Sequence, residues 1–313
     1  AAESGVSYTL AGGGHRLLSS VLWSNRGNAV LTRSSSIGVT NSVLASFEPD
    51  TFIYRQDDSS TLSANFNAYQ LGDSVRMGYK DFTIASTLPY LPLVYETLSR
   101  WTAETGSDTR SLVGNPGFVD AAGHDFHLLS SAGFYVRPGG TFSNASETSL
   151  LIDAGFGGAE AETGNHGDRI NIGLYGGSIE ASRTPVDASL TALSMNDAGY
   201  ALGTGWPLYW NARGAATSHT VRIEFSGNQG QNYIPVVSNV PAQTGGIFWN
   251  TTAATSTWLG VWRVVSEVDT NIADRCDTNF AVRNQSLALY LNNNSTARDI
   301  YTSAIGNPAN NGT

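Results

Sequence analysis

Short apolar runs recur along the chain, and most alternate with small polar residues in the two-residue rhythm of a strand. Residues 17–25 (LLSSVLWSN) align with residues 39–47 (VTNSVLASF) 22 positions later, and residues 61–69 (TLSANFNAY) follow after another 22. The intervening strands keep that step, which lays Val30-Leu31-Thr32-Arg33 over Phe52-Ile53-Tyr54-Arg55. Such a period predicts stacked β-coils, because one coil of this size cannot bury its inner face alone. Asn, Ser and Gly at the corners suit the bends, since they tolerate left-handed backbone angles and cap turns. Residues 70–112 break the period with Pro89, Tyr90 and Pro92 and predict a short helix around Tyr95–Thr102, an excursion from the stack.

Pro185 and Asp187 mark a boundary, after which the pattern changes to strands separated by turn signals. These are Leu208–Asn211, Thr220–Phe225, Tyr233–Val240, Gly246–Trp249, Gly260–Ser266 and Phe280–Val282. Val221, Ile223 and Phe225 alternate with Arg222 and Glu224, the mark of a strand with one buried face. Regular short strands over about 100 residues predict a sandwich, with Trp210 and Trp249 in its core.

Composition narrows the function classes. Charged residues make up only 14% of the 313, hydrophobic ones 41%, and the formal net charge is −9. Of the 17 basic residues only Lys80 is a lysine, and none form a run. That excludes dense phosphate contact with nucleic acid and attraction to anionic membranes. The apolar runs are too short for a helix to span a bilayer. The opening AAESGVSYTL has neither a basic n-region nor an apolar h-region, so a secretory signal would have been removed or lie upstream. Cys276 is alone, which rules out an intrachain disulfide; a structural thiol is the reading and an intermolecular bridge the alternative.

Three strings carry resemblances. NPGFVDAAGHDFHL (115–128), LLIDAG from Leu150 and GNHGDRINIGLYGGSIEAS (164–182) resemble the closing coils of right-handed parallel β-helix repeat proteins, the pectin-lyase-like group. Leu151 stands where Ala is usual and Ser178 where Thr is usual. The segment LYWNARGAATSHTVRIEFSGNQGQNY…GIFWNT…WRVVS resembles an immunoglobulin- or fibronectin-III-like module of large bacterial surface proteins. Residues 288–313 (ALYLNNNSTARDIYTSAIGNPANNGT) resemble the opening of a further β-helix in such proteins. Together they imply an all-β chain: the C-terminal part of a right-handed parallel β-helix (1–184), an Ig/FnIII-like β-sandwich (185–286), and the start of a following β-helix or an assembly segment (287–313). The chain then reads as a segment of a longer protein or a protomer of an assembly.

β-helix proteins that act on acidic polysaccharides use stacked carboxylates for Ca²⁺ and a Lys or Arg as base. The 22-residue register puts Arg33 and Arg55 on adjacent coils, where they could grip a polyanion; solvated side chains paired with Asp57 and Asp58 are the plainer reading. His124, Asp125 and His127 read as structural within their string. Glu160, Glu162 and Asp168, and likewise Asp269, Asp274 and Asp277, form acidic loops without calcium-repeat or EF-hand spacing, so solvated loops are expected and Ca²⁺ is the alternative. Trp101, Trp206, Trp258 and Trp262 would stack on sugar rings if exposed and pack in cores if not; Trp258 and Trp262 join Arg33 and Arg55 as glycan-binding candidates. No metalloprotease, nucleophile-elbow, P-loop or dinucleotide motif occurs. The expectation is a non-catalytic, extracellular structural or adhesive surface protein, with no cofactor unless Ca²⁺. Its partners would be copies of itself or adjacent modules, with a polysaccharide as a further candidate. A polysaccharide lyase or hydrolase, or a carbohydrate-binding module, is the alternative.

Overall fold

The computed structural model describes residues 4–81, 93–202 and 205–283. The protein is all-β, 44% strand and 8% helix. β1 (Ser4–Leu18) enters a first sheet and β2 (Val21–Asn25) a second; β3 (Asn28–Thr40) returns to the first and β4 (Val43–Ser46) to the second. β5 (Phe52–Gln56) and β6 (Thr61–Asn65) both pair with β3, β7 (Ala68–Leu71) pairs with β4, and β8 (Arg76–Lys80) pairs with β5. All of these pairings are parallel. β9 (Leu93–Tyr95) closes the first sheet antiparallel to β8. After helix α1 (Leu98–Thr105), β10 (Leu112–Val113) extends the second sheet in parallel with β7.

The second sheet explains why its strands are apolar on both faces. Leu22, Leu44, Tyr69 and Val113 stand in register and pack into the space between the sheets. Their neighbours Val21, Val43, Ala68 and Leu112 form a second column on the opposite face, against Leu151, Ile152 and Ile172. A parallel sheet covered on both sides loses its apolar–polar alternation. The step of 22 residues holds from Val21 to Val43 but becomes 25 from Val43 to Ala68 and 24 from Leu31 to Arg55.

Helix α1 begins at Thr97, whose side chain accepts from the Arg100 N–H, and stops at Gly106 in the left-handed conformation (φ 71°). It drives Trp101, fully buried, onto the end of the core. The indole stacks on Tyr54 at 5.4 Å and meets Tyr95 edge-on at 5.2 Å. Gly78 is required beneath it, because a Cβ there would lie 2.6 Å from the ring.

Asp108, only 2% exposed, ties this end together. It accepts from the Trp101 indole N–H (3.0 Å), the Tyr69 hydroxyl (2.7 Å), the Ser111 hydroxyl (2.5 Å) and the Asn67 amide (3.3 Å). Burial still pushes its carboxyl above the usual range.

Two hairpins follow, β11 (Phe118–Asp120) with β12 (Asp125–Leu128), and β13 (Phe134–Val136) with β14 (Thr141–Ser143). Residues 144–188 then run without a strand. Their turns lie over the outer column of the second sheet: the Gly173 N–H donates to the Asn41 carbonyl (2.9 Å), and the Asn41 side chain bonds both the N–H (2.7 Å) and the carbonyl (2.9 Å) of Phe156.

The second half comprises β15 (Ser189–Ala192), β16 (Tyr200–Leu202), β17 (Trp206–Arg213), β18 (Thr220–Ser226), β19 (Ile234–Pro241), β20 (Gly246–Trp249), β21 (Thr257–Ser266), β22 (Ala273–Arg275) and β23 (Phe280–Arg283). They form one sheet ordered β15-β17-β20 and another ordered β16-β23-β21-β18-β19, with β22 on β21. Trp210, Trp249, Trp262, Phe225 and Phe280 fill the core they share. No described strand of the first half pairs with one of the second. The string expected to open a further β-helix lies outside the described residues.

Asp108 yields a test with a defined sign. Its folded pKa is raised, so its contribution is fully present below the ordinary carboxylate range and is lost as pH rises through the raised value. Asp108→Asn should abolish that loss of stability as pH rises from the ordinary carboxylate range toward neutrality. It should also cost about 1–3 kcal/mol, because an amide N–H would face other donors. Urea unfolding of both proteins across that range measures both effects.

Candidate functional site

The structure concentrates its buried polar chemistry where the two halves meet. Alternation along β17 sends Leu208 and Trp210 into the core of the second half, and Tyr209, Asn211 and Arg213 to the opposite face. That face lies on residues 149–155, a turn outside any strand that presents main-chain carbonyls to it. The Tyr209 hydroxyl donates to the Ala154 carbonyl (2.9 Å) and the Asn211 amide to the Ile152 carbonyl (2.8 Å). Arg213 reaches Ile152 through Nε (3.2 Å) and Nη2 (3.0 Å), and Nη2 also reaches the carbonyls of Leu150 (3.0 Å) and Ser149 (3.2 Å). Arg169 completes the set from the first half, donating to Gly155, Ala154 and the Tyr209 oxygen at 2.8 Å each. Arg169 and Arg110 lie over the rings of Phe66 and Tyr209. Arg213 is 5% exposed, and burial lowers its pKa.

A cleft runs beside this contact, lined by Asp153, Asp168, Arg169, Arg213, Thr217 and Gln243 among others. Asp153 sits at its inner end, 3% exposed, in the left-handed backbone region (φ 55°). Its Oδ1 accepts from the Gly167 N–H (3.1 Å) and the Thr184 hydroxyl (2.9 Å), while its buried Oδ2 has no partner. Burial pushes the carboxyl up, against the opposing pull of Arg213. Gly167 is needed here, since a Cβ would come within 2.6 Å of the carboxylate. At the rim, Asp168 accepts from the Gln243 amide (3.2 Å).

The residues singled out from sequence fall elsewhere. Arg33 and Arg55 are not stacked: Leu31 stands opposite Arg55, because the turn between these strands makes the step 24 residues rather than 22. Arg33 is exposed, and Arg55 leans over Tyr79 (5.1 Å to the ring centre) and approaches Asp81 (3.9 Å). Trp262 is no sugar platform; it is fully buried, and its indole N–H donates to the Ser194 carbonyl (3.0 Å). Trp101 and Trp206 are buried too, and of these four tryptophans Trp258 alone is exposed, at 72%.

The acidic loops do not converge. Asp269 caps the Asn271 N–H (3.0 Å) within its own turn, and Asp274 accepts from the Ala192 N–H (2.8 Å) on β15, while the backbone of Asp277 bonds Asn196 (3.0 Å). Glu162 turns inward onto the N–H groups of Asn171 (3.0 Å) and Gly177 (2.8 Å), while Glu160 stays exposed. Among the described residues no group of three His, Cys, Asp or Glu side chains could hold a metal ion.

His127 is fully buried, stacked flat on Tyr175 at 3.7 Å and held between Asp125 (2.5 Å) and Glu180 (3.3 Å). It fastens β12 to the turns that follow. Cys276 is buried with its thiol pushed up to about 11, which suppresses the reactive thiolate.

Asp153, Arg169 and Arg213 had escaped the sequence reading. The signal available was the run Tyr209-Asn211-Arg213, a polar stripe on a strand whose other face is apolar, which sequence alone assigns to solvent. No family model, curated protein or solved structure matches the chain.

Two substitutions test these placements. Arg213→Met should leave the Leu150 carbonyl without its donor and remove one of two kinds of donor from Ser149 and Ile152, at about 1–3 kcal/mol for an acceptor left buried and unpaired. Calorimetry should then resolve two unfolding transitions in place of one. Trp262→Ala should cost about 3–5 kcal/mol, whereas Trp258→Ala should stay within about 0.5 kcal/mol of the parent.

Proposed function

We propose that this chain is a non-catalytic, extracellular structural or adhesive segment of a surface protein. In this reading a right-handed parallel β-helix in the first half is fixed rigidly to an Ig/FnIII-like sandwich in the second. The observation that carries it is the buried contact in which Tyr209, Asn211 and Arg213 bond main-chain carbonyls from Ile152 to Ala154, with Arg213 reaching Ser149 and Leu150 as well. Side-chain-to-main-chain bonding of this density holds two modules in one orientation, as a load-bearing spacer requires. The in-register columns of the second sheet support the reading, since parallel stacking adds layers by repeating one interface. The polyanion grip read from Arg33 and Arg55 loses its support, because the register does not set the two side by side.

Partners in this account are copies of the chain or neighbouring modules, joined where strand edges remain open. Electron microscopy and native mass measurement of purified protein provide the test. The proposal predicts rods or end-to-end assemblies without turnover of polysaccharides. A monodisperse monomer that shortens acidic polysaccharides would overturn it.

A further inference from the structure

We infer that the cleft between the two halves is a binding site for a neutral sugar, held through a pair of adjacent hydroxyls between Asp153 and the arginines beside it. The inference goes beyond a structural role and does not depend on assembly. Its starting point is the Oδ2 of Asp153, an acceptor buried in the cleft with no hydrogen-bond partner. A buried polar atom of this kind costs free energy unless a ligand or water supplies a donor.

Donors stand alongside. Arg213 and Arg169 both line the cleft, and the bonds that fix them to main-chain carbonyls and Tyr209 use Nε and Nη2, leaving Nη1 outside that set. Thr217 donates its hydroxyl proton to the Gly214 carbonyl (2.9 Å), so its oxygen remains an acceptor.

The chemistry of these groups selects the ligand. Two arginines disfavour a metal cation, and only Asp153 and Asp168 bring carboxylates to the lining. An anion would meet the unpaired oxygen of Asp153. A vicinal diol satisfies both kinds of group, because one hydroxyl donates to the carboxylate while its neighbour accepts from a guanidinium.

The volumes place a ring in the outer recess, with only its hydroxyl edge reaching Asp153 and the arginines in the inner one. The inner recess holds about 50 Å³ and abuts an outer one of about 310 Å³ that includes His166, Pro185 and Val186. The two share Gly167, Asp168, Thr184, Gly214 and Thr217. The outer volume is at the lower end of small-ligand sites.

Saturation-transfer NMR with the methyl glycosides of glucose, mannose and galactose tests the site in the full chain. The expected result is saturation of at least one glycoside, strongest at two adjacent ring positions. Asp153→Asn should weaken binding about tenfold, the loss of roughly one charged hydrogen bond. Gln243→Ala, at the exposed rim, keeps the buried contact intact and should weaken binding by a smaller factor; it serves if Asp153→Asn fails to fold. Absence of saturation transfer from folded parent protein to all three glycosides, with a crystal showing only water on Asp153 Oδ2, would overturn the inference. So would binding that both variants leave unchanged. Neither result bears on the rods or assemblies that test the structural role.

Discussion

The guanidinium of Arg213 has been taken out of water and set against the carbonyls of Ser149, Leu150 and Ile152. A buried charge of this kind is tolerated only where hydrogen-bond acceptors are already in place, because desolvation costs several kcal/mol by order of magnitude. That requirement falls on the turn at residues 149–155, which lies outside any strand and turns the carbonyls of Ser149, Leu150 and Ile152 toward the guanidinium. The turn in turn needs a surface to rest on, and the column Val43, Ala68 and Leu112 on the second sheet supplies it. Asn41 pins the same region by bonding the main chain of Phe156. Sheet, turn and the second half are thus linked in series by one apolar column and one buried cation.

Much of this was legible in the sequence. All six strands read in the second half exist, with Trp210 and Trp249 in the core, because each sends apolar residues to that core and is bounded by turns. The step of 22 residues was right between Val21 and Val43, where the corner is short. It failed from Val43 to Ala68 and from Leu31 to Arg55, where the intervening turns add three and two residues. Periodicity cannot see such additions, and a slip of two residues preserves side-chain facing while moving a side chain along the strand. The arginine pair was lost for that reason.

The candidate site was less visible, because its parts are scattered and each looks ordinary alone. Asp153 reads as a corner residue, Arg169 as part of a closing string and Arg213 as the end of a strand's solvent face. Only the tertiary contact turns that face into an interface. The aromatics show the same limit: composition could not tell Trp262, in the core, from Trp258, on the surface four residues earlier.

If the two halves move as one body, the chain is suited to holding its neighbours at a fixed distance and angle, and a cleft at the join keeps one shape for a ligand. The direct test is the distance distribution between spin labels at Ala103→Cys, exposed on α1, and Thr270→Cys, exposed before β22, with Cys276 buried and unlabelled. The account predicts a single narrow distribution by double electron–electron resonance. A broad or multi-peaked distribution in the unaltered junction would contradict it.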